Sequence, residues 1–240
     1  MNRTKIEYVD FSWSPLTGCY GPGGTQEHLK HCPYCYAQRF AERGLGKYGQ
    51  YAREQRFNPR FYDERLAEPT KIKKPSRIFV CSMGDLLGEW VDSKLIEQVI
   101  NITRLAPQHT YLFLTKNPQR YSDFSFPDNC WLGTTITGQW NEETEFGWRR
   151  QKLSNKGKNH LFISFEPLME DYAPYLGICL EQISLFIIGA MTGPEAKYHQ
   201  PKKEWVENLI TQADEFRIPV FLKNNLLEIY PGLPRRQELP

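Results

Sequence analysis

Beyond Cys35, short runs of β-branched, aliphatic and aromatic residues alternate with amphipathic stretches. The runs lie at 77–82 (RIFVCS), 110–115 (TYLFLT), 131–136 (WLGTTI), 161–165 (LFISF), 185–189 (LFIIG) and 219–223 (PVFLK). Most are continuously apolar rather than alternating, the pattern of parallel strands buried on both faces. A further strand is expected from around Phe11, leading into Cys19. Residues 93–105 place Leu95, Ile96, Val99, Ile100 and Leu105 on one helical face, and Pro107 follows. Residues 202–217 begin after Pro201 and carry Trp205, Leu209, Ile210, Ala213 and Phe216 on one stripe. A helix over 33–43 is expected to start among the cysteines. Another is expected over 141–153, and 171–180 reads as a short, Pro-interrupted one.

Strands alternating with helices over short connections imply βαβ units and a parallel sheet. Six or seven units give an α/β fold, a partial (β/α) barrel, since a complete eightfold barrel takes ~250 residues. A doubly wound sheet is the alternative. Residues 1–240 read as one such domain, with a cysteine cluster loop at 19–35. Either architecture puts the working site at the C-terminal ends of the strands.

Composition changes this picture only locally. With 40% hydrophobic residues spread along 240 positions, disordered and collagen-like readings fail. No run of 18 apolar residues offers a membrane span, and the first seven residues lack a signal-peptide core, so a cytoplasmic location is expected. The 30 basic and 28 acidic residues nearly cancel, but they are segregated. Residues 37–77 hold eleven Lys/Arg and five acids, interleaved with Tyr48, Tyr51, Phe57, Phe61 and Tyr62. Residues 147–160 hold Arg149, Arg150, Lys152, Lys156 and Lys158 and no acid. Basic and aromatic side chains together suit a phosphate backbone and stacked bases, or a phosphorylated small molecule. Solvated helix faces give the same pattern.

The six cysteines divide in two. Cys81, Cys130 and Cys179 lie in or beside apolar runs, where free cysteine serves as a small buried hydrophobe. Cys19, Cys32 and Cys35 are spaced C-x12-C-x2-C. Two chemistries compete for them. Structural zinc would take its fourth ligand from His28 or His31 in a Cys3His site. Alternatively the three thiolates hold three irons of a [4Fe–4S] cluster and leave the fourth iron open. The spacing alone does not choose.

Past the strands stand Ser82-Met83-Gly84-Asp85, Thr115-Lys116-Asn117, Thr135-Ile136-Thr137, Glu166-Pro167, Gly189-Ala190-Met191-Thr192-Gly193 and Lys223-Asn224-Asn225. Asp85, Lys116, Glu166 and Lys223 are expected to converge on one mouth beside the cysteine loop. Gly84 would let a ligand approach the backbone, and Asp85 would accept hydrogen bonds from an ammonium group. Two other classes compete with a metal enzyme. A zinc-stabilised nucleic-acid-binding module without catalysis needs no barrel mouth. A hydrolase using Asp85 and Glu166 as an acid/base pair leaves the cysteines unexplained.

These residues resemble the radical S-adenosylmethionine superfamily, and more closely an uncharacterised phage- and prokaryote-associated branch with an extended first cysteine spacing. The likeness is carried by Trp13–Cys19 (WSPLTGC), Cys32–Ala37 (CPYCYA), Phe79–Asp85 (FVCSMGD), Leu114–Pro118 (LTKNP), Trp131–Thr135 (WLGTT), Ser164–Leu168 (SFEPL), Ile187–Gly193 (IIGAMTG) and Pro219–Lys223 (PVFLK). It implies that Cys19, Cys32 and Cys35 bind a [4Fe–4S] cluster, and that Tyr34 shields it and packs near the adenine of S-adenosylmethionine. Ser82, Met83, Gly84 and Asp85 stand where the superfamily holds the methionyl amino group. Thr135 and Glu166 stand on strands that contact ribose, carboxylate or substrate. Asp85, Lys116 and Glu166 are the catalytic candidates. The implied activity is reductive cleavage of S-adenosylmethionine to a 5′-deoxyadenosyl radical, which abstracts hydrogen from a substrate. A reductant such as flavodoxin or ferredoxin is the implied partner. The chain departs from the superfamily in two places. The usual interval is C-x3-C-x2-C, and the segment at Ser82 lacks a double glycine.

Overall fold

The computed structural model describes residues 1–43, 57–137 and 158–239, with the side chains of 175 and 177–179 excepted. The helix expected over 141–153, three of the basic residues of segment 37–77 (Lys47, Arg53, Arg56), four of the five of segment 147–160 (Arg149, Arg150, Lys152, Lys156) and the side chain of Cys179 lie outside the described residues. The chain forms two compact units, residues 1–117 and 118–240.

In the first unit, β1 (Asn2–Arg3) pairs antiparallel with β2 (Phe11–Trp13). Strand β2 runs parallel to β5 (Arg77–Val80), which runs parallel to β6 (Thr110–Thr115). A second, two-stranded sheet pairs β3 (Leu16–Thr17) antiparallel with β4 (Arg60–Phe61). Helix α1 (Tyr36–Glu42) follows the cysteines, and α2 (Ser93–Leu105) links β5 to β6. Asp92 caps α2 by accepting the Lys94 N–H at 2.8 Å. Ile96, Val99, Ile100 and Thr103 bury its inner face. The core beneath holds Trp13 and Tyr111, both fully buried, their rings edge to face at 6.0 Å.

In the second unit, β7 (Cys130–Thr135), β8 (His160–Phe165), β9 (Ile183–Ile188) and β10 (Val220–Leu222) lie side by side, all parallel. Nearly every residue in them is buried, which explains their continuously apolar composition. Helix α3 (Lys203–Glu215) precedes β10 and buries Val206, Leu209, Ile210 and Ala213, and α4 (Asn224–Ile229) follows β10. Phe165 centres this core, stacked on Tyr172 at 5.8 Å and edge-on to Phe186 at 5.3 Å.

Within each unit the parallel strands follow chain order, the winding of a (β/α) barrel rather than of a doubly wound sheet, whose order reverses. The α/β class with parallel βα units is therefore the class found. The expected strand at 110–115 and helix at 93–105 match residue for residue. Leu105 does not join the apolar face but is 72% exposed. Nine residues beyond Ile96, at about 100° each, set it half a turn away. Phe216 is also exposed, because α3 ends at Glu215. Residues 171–180 form short 3-10 turns instead of an α-helix.

The pair β7–β8 depends on a missing side chain. Gly133 faces Phe162 in register, and a Cβ there would sit 2.3 Å from the end of that fully buried ring. Gly133→Ala should therefore destabilise the protein by about 1–3 kcal/mol. Thermal unfolding would read this as a fall of about 2–4 °C per kcal/mol. An unchanged midpoint would refute it.

Candidate functional site

The cysteine loop is rooted by two glycines. Gly18, at φ +85°, donates its N–H to Met83 O at 2.8 Å and bridges to Gly84, while Cys19 N–H donates to Phe57 O at 3.0 Å. A Cβ on Gly18 would lie 2.2 Å from Asn58 O, and one on Gly84 would lie 2.7 Å from Gly18 O. Only glycine allows three backbone segments this close. Cys19 is thus pinned between residues 57–58 and the segment after β5.

The twelve residues between Cys19 and Cys32 fold back on themselves. Lys30 N–H donates to Tyr20 O at 2.7 Å, Gly24 N–H to Gly21 O and Thr25 N–H to His28 O, both at 2.9 Å. The result is a compact excursion whose ends meet, the form of an Ω-loop. His31 then donates its Nε2–H to Cys19 O at 2.7 Å and sets its ring edge on Phe57 at 5.7 Å. His28 is exposed. Cys35 N–H closes a turn on Cys32 O at 2.9 Å, and Cys35 caps α1, its sulfur accepting Gln38 N–H at 3.3 Å.

The three thiols share one electrostatic neighbourhood. Burial pushes the Cys19 thiol far up, and the charges of Asp85, Cys35 and Cys32 add to that, against the Gly21 N–H that its sulfur accepts at 3.2 Å. Burial also raises Cys35, with Cys32 adding and the Gln38 N–H opposing. Cys19, Cys35 and Met83 pack against Ala37, Ala41 and Phe57. Among the described residues, no three His, Cys, Asp or Glu side chains are gathered so as to hold a single metal ion. The local donor set is three sulfurs in a partly apolar wall. That set fits the thiolate ligation of an iron–sulfur cluster, and a bound cation would offset the burial that now disfavours the thiolates.

Asp85 organises the strand ends beside them. Its Oδ1 accepts Thr115 Oγ1–H at 2.7 Å and Leu87 N–H at 3.1 Å, and its Oδ2 accepts Lys116 N–H at 3.0 Å. Burial raises this carboxyl above its ordinary range, and those hydrogen bonds pull it back. Lys116 Nζ donates to Tyr34 OH at 3.2 Å and lies 5.3 Å from that ring's centre. Tyr36 OH donates to Ser82 O, and the hydroxyls of Ser82 and Ser12 are 2.5 Å apart. The turn into Ser82 starts at Cys81, a buried residue at φ +57° whose thiol burial pushes up to about 12.

The second unit holds the other candidates. Glu166 Oε1 meets Lys223 Nζ at 2.7 Å, and its Oε2 accepts Ser164 Oγ–H at 3.0 Å. Both charged side chains are mostly buried, at 19% and 22% exposure. They lie over Gly189, where a Cβ would come within 2.9 Å of Lys223 Cδ and 3.1 Å of Glu166 Cγ. Lys223 N–H donates to Ile188 O at 3.0 Å, and Asn225 exchanges two hydrogen bonds with the Ala190 backbone. Thr135 ends β7, in register with Ser164.

The structure thus gathers Cys19, Cys32, Cys35, Tyr34, Ser82, Met83, Gly84, Asp85 and Lys116 in the first unit, and Glu166 with Lys223 in the second. Ser12, Thr115, Ser164 and Asn225 were not singled out by sequence reasoning, although all but Ser12 border a strand end already read as polar. Asp85→Asn replaces an acceptor oxygen with an NH2 that must face a backbone N–H or the Thr115 hydroxyl. It should cost about 1–3 kcal/mol, measured by denaturant unfolding. A variant as stable as the parent would show that these hydrogen bonds carry no weight.

Comparison with known proteins bears on this arrangement. A spore photoproduct lyase variant with bound AdoMet and dinucleoside spore photoproduct superposes with a TM-score of 0.62 at 13% identity, covering 92% of this chain and 78% of that chain. Another variant, with dinucleoside spore photoproduct, gives 0.58 at 15% identity, covering 96% and 77%. The lyase complexed with dinucleoside spore photoproduct gives 0.56 at 14% identity, again covering 96% and 77%. These likenesses show a shared fold. No curated protein matches the chain. The family model described as "Protein of unknown function (DUF5131)" matches residues 3–226, and the chain belongs to that family.

Proposed function

We propose that the protein is a radical S-adenosylmethionine enzyme acting on a nucleic-acid or nucleotide substrate. The observation that carries this reading is the gathering of three thiols beside Asp85, in a fold shared with a protein whose structure holds AdoMet. The superfamily resemblance in sequence supports it independently. Cys19, Cys32 and Cys35 would hold a [4Fe–4S] cluster, in a single partial-barrel domain over residues 1–240. When bound, the cluster and S-adenosylmethionine supply one-electron cleavage to methionine and a 5′-deoxyadenosyl radical.

The chain's own residues do the rest. The Ser82–Asp85 segment binds the methionyl amino group. Three hydrogen bonds fill both in-plane lone pairs of Asp85 Oδ1 and one of Oδ2, leaving a lone pair on Oδ2 for an ammonium N–H. Lys116 holds Tyr34 by its hydroxyl, so that the ring shields the cluster and the adenine. Glu166 and Thr135 contact ribose, carboxylate or substrate groups, and Lys223 orients Glu166 by pairing with it. The substrate class rests on the basic segments and on the dinucleoside ligands of the structural neighbours. A flavodoxin- or ferredoxin-type reductant supplies the electron, and the cytoplasm provides it. No helix among the described residues is long and apolar enough to cross a membrane.

Anaerobic reconstitution tests the reading. The protein should take up about four irons and absorb like an iron–sulfur protein, and Cys32→Ala should abolish both. With dithionite and S-adenosylmethionine it should release 5′-deoxyadenosine. Stoichiometric zinc without iron would overturn the proposal.

A further inference from the structure

A cavity of about 330 Å³ lies in the first unit, bordered by the segments around Ser12, Arg65 and Ser82 and by α1. That volume falls at the small end of ligand sites, which run ~300–1,000 Å³. Its walls differ in character. The Ser12 and Ser82 hydroxyls and Ser14 give it donors and acceptors. Arg65 stands over Tyr62, with its guanidinium carbon 3.8 Å from the ring centre, and Nη1 donates to Ser14 O at 3.3 Å. Among the described residues it pairs with no carboxylate. The cavity's acid, Glu68, is instead paired with the amino group of Met1. Arg65 therefore brings an uncompensated charge and several N–H donors to a hydroxyl-lined wall, the chemistry that recognises phosphate.

The rim is apolar and planar. Phe40 lines the cavity while 53% exposed, and Tyr36, one turn earlier on α1, is equally exposed. Met83 lines the cavity and, like Cys19 and Cys35, packs against Ala37, Ala41 and Phe57, so cavity and thiol site border one small apolar cluster. We propose that this cavity is a subsite for a nucleoside phosphate. Arg65 and the Ser12 and Ser14 hydroxyls take the phosphoryl group, the Ser82 hydroxyl holds that of Ser12 in place, and Phe40 stacks on the base. The assignment deepens the substrate class proposed above and rests on that reading. It also singles out Arg65 from the basic segment 37–77 as the residue that binds.

The test titrates the full chain without S-adenosylmethionine, by calorimetry. The probes are deoxycytidine 5′-monophosphate (which lacks the cofactor's adenine), deoxycytidine, inorganic phosphate and a short single-stranded oligodeoxycytidine. The monophosphate should bind at least about tenfold tighter than deoxycytidine or phosphate, and Arg65→Gln should remove about tenfold of that. Phe40→Ala, at an exposed position that spares the fold, should weaken monophosphate and nucleoside alike. A strand that binds tighter than the monophosphate, with the same dependence on Arg65, identifies nucleic acid as the source. Equal binding identifies the free nucleotide. No binding of monophosphate or strand overturns the inference, as does a Phe40→Ala protein that binds like the parent. S-adenosylhomocysteine binding that falls in Arg65→Gln would return the cavity to the cofactor and overturn it too. Formation of 5′-deoxyadenosine by a chain that binds no nucleotide sinks this inference alone. Nucleotide binding of the expected pattern in a chain that takes up no iron sinks the enzyme reading alone.

Discussion

A carboxylate drawn back from water needs hydrogen-bond donors to hold its place, and around Asp85 that requirement shapes the whole first unit. The side chain stands between the turn after β5 and the end of β6, and it takes hydrogen bonds from both. Because the Lys116 backbone is fixed in this way, the Lys116 side chain has a defined origin, and from there it reaches Tyr34 between the two paired cysteines. Asp85 also lies near enough to Cys19 to raise its thiol. One half-buried acid thereby sets the positions of a lysine, an aromatic ring and the electrostatics of a thiol. A hydrophobic replacement of equal volume could fill the space, but it would orient none of these groups.

The second unit solves the same problem with a full ion pair. Glu166 and Lys223 come from the ends of different strands, and the smaller residue between them, Gly189, leaves the room in which they meet. Desolvation is tolerable there because Ser164 fills a second position on the carboxylate. Polar groups at strand ends thus come with their partners, and backbone contacts hold those partners. Lys223 is tied to Ile188 through its own N–H, and Asn225 is tied in turn to the Ala190 backbone. Such preorganisation is what binding or chemistry at a strand end requires.

Elements driven by local pattern were legible in the sequence. Helix α2 has an apolar stripe and a following Pro107, and its bounds are read from these; the Asp92 cap emerges only in the structure. The continuously apolar strands β6 to β10 were legible for the same reason, since burial on both faces leaves one composition. The partnerships were not. Thr115 and Asp85 are 30 positions apart, and Ser12 and Ser82 are 70 apart. No periodicity links such pairs, because they are brought together by the register of parallel strands. Leu105 shows a smaller failure, where an apolar residue near a helix end was counted with a face it does not share.

The bond between Lys30 and Tyr20 has a consequence for how chains of this kind are found. Since the excursion closes on itself, the distance in space between Cys19 and Cys32 is set by its two ends and not by the number of residues it contains. Entropy penalises a longer closed loop only slowly, so the interval is free to grow or shrink without disturbing its roots. A signature that counts residues between the first two cysteines would pass over every chain built this way. One that looks for the glycine rooting the first cysteine, the paired cysteines that cap a helix and the aspartate after the next strand would retain them.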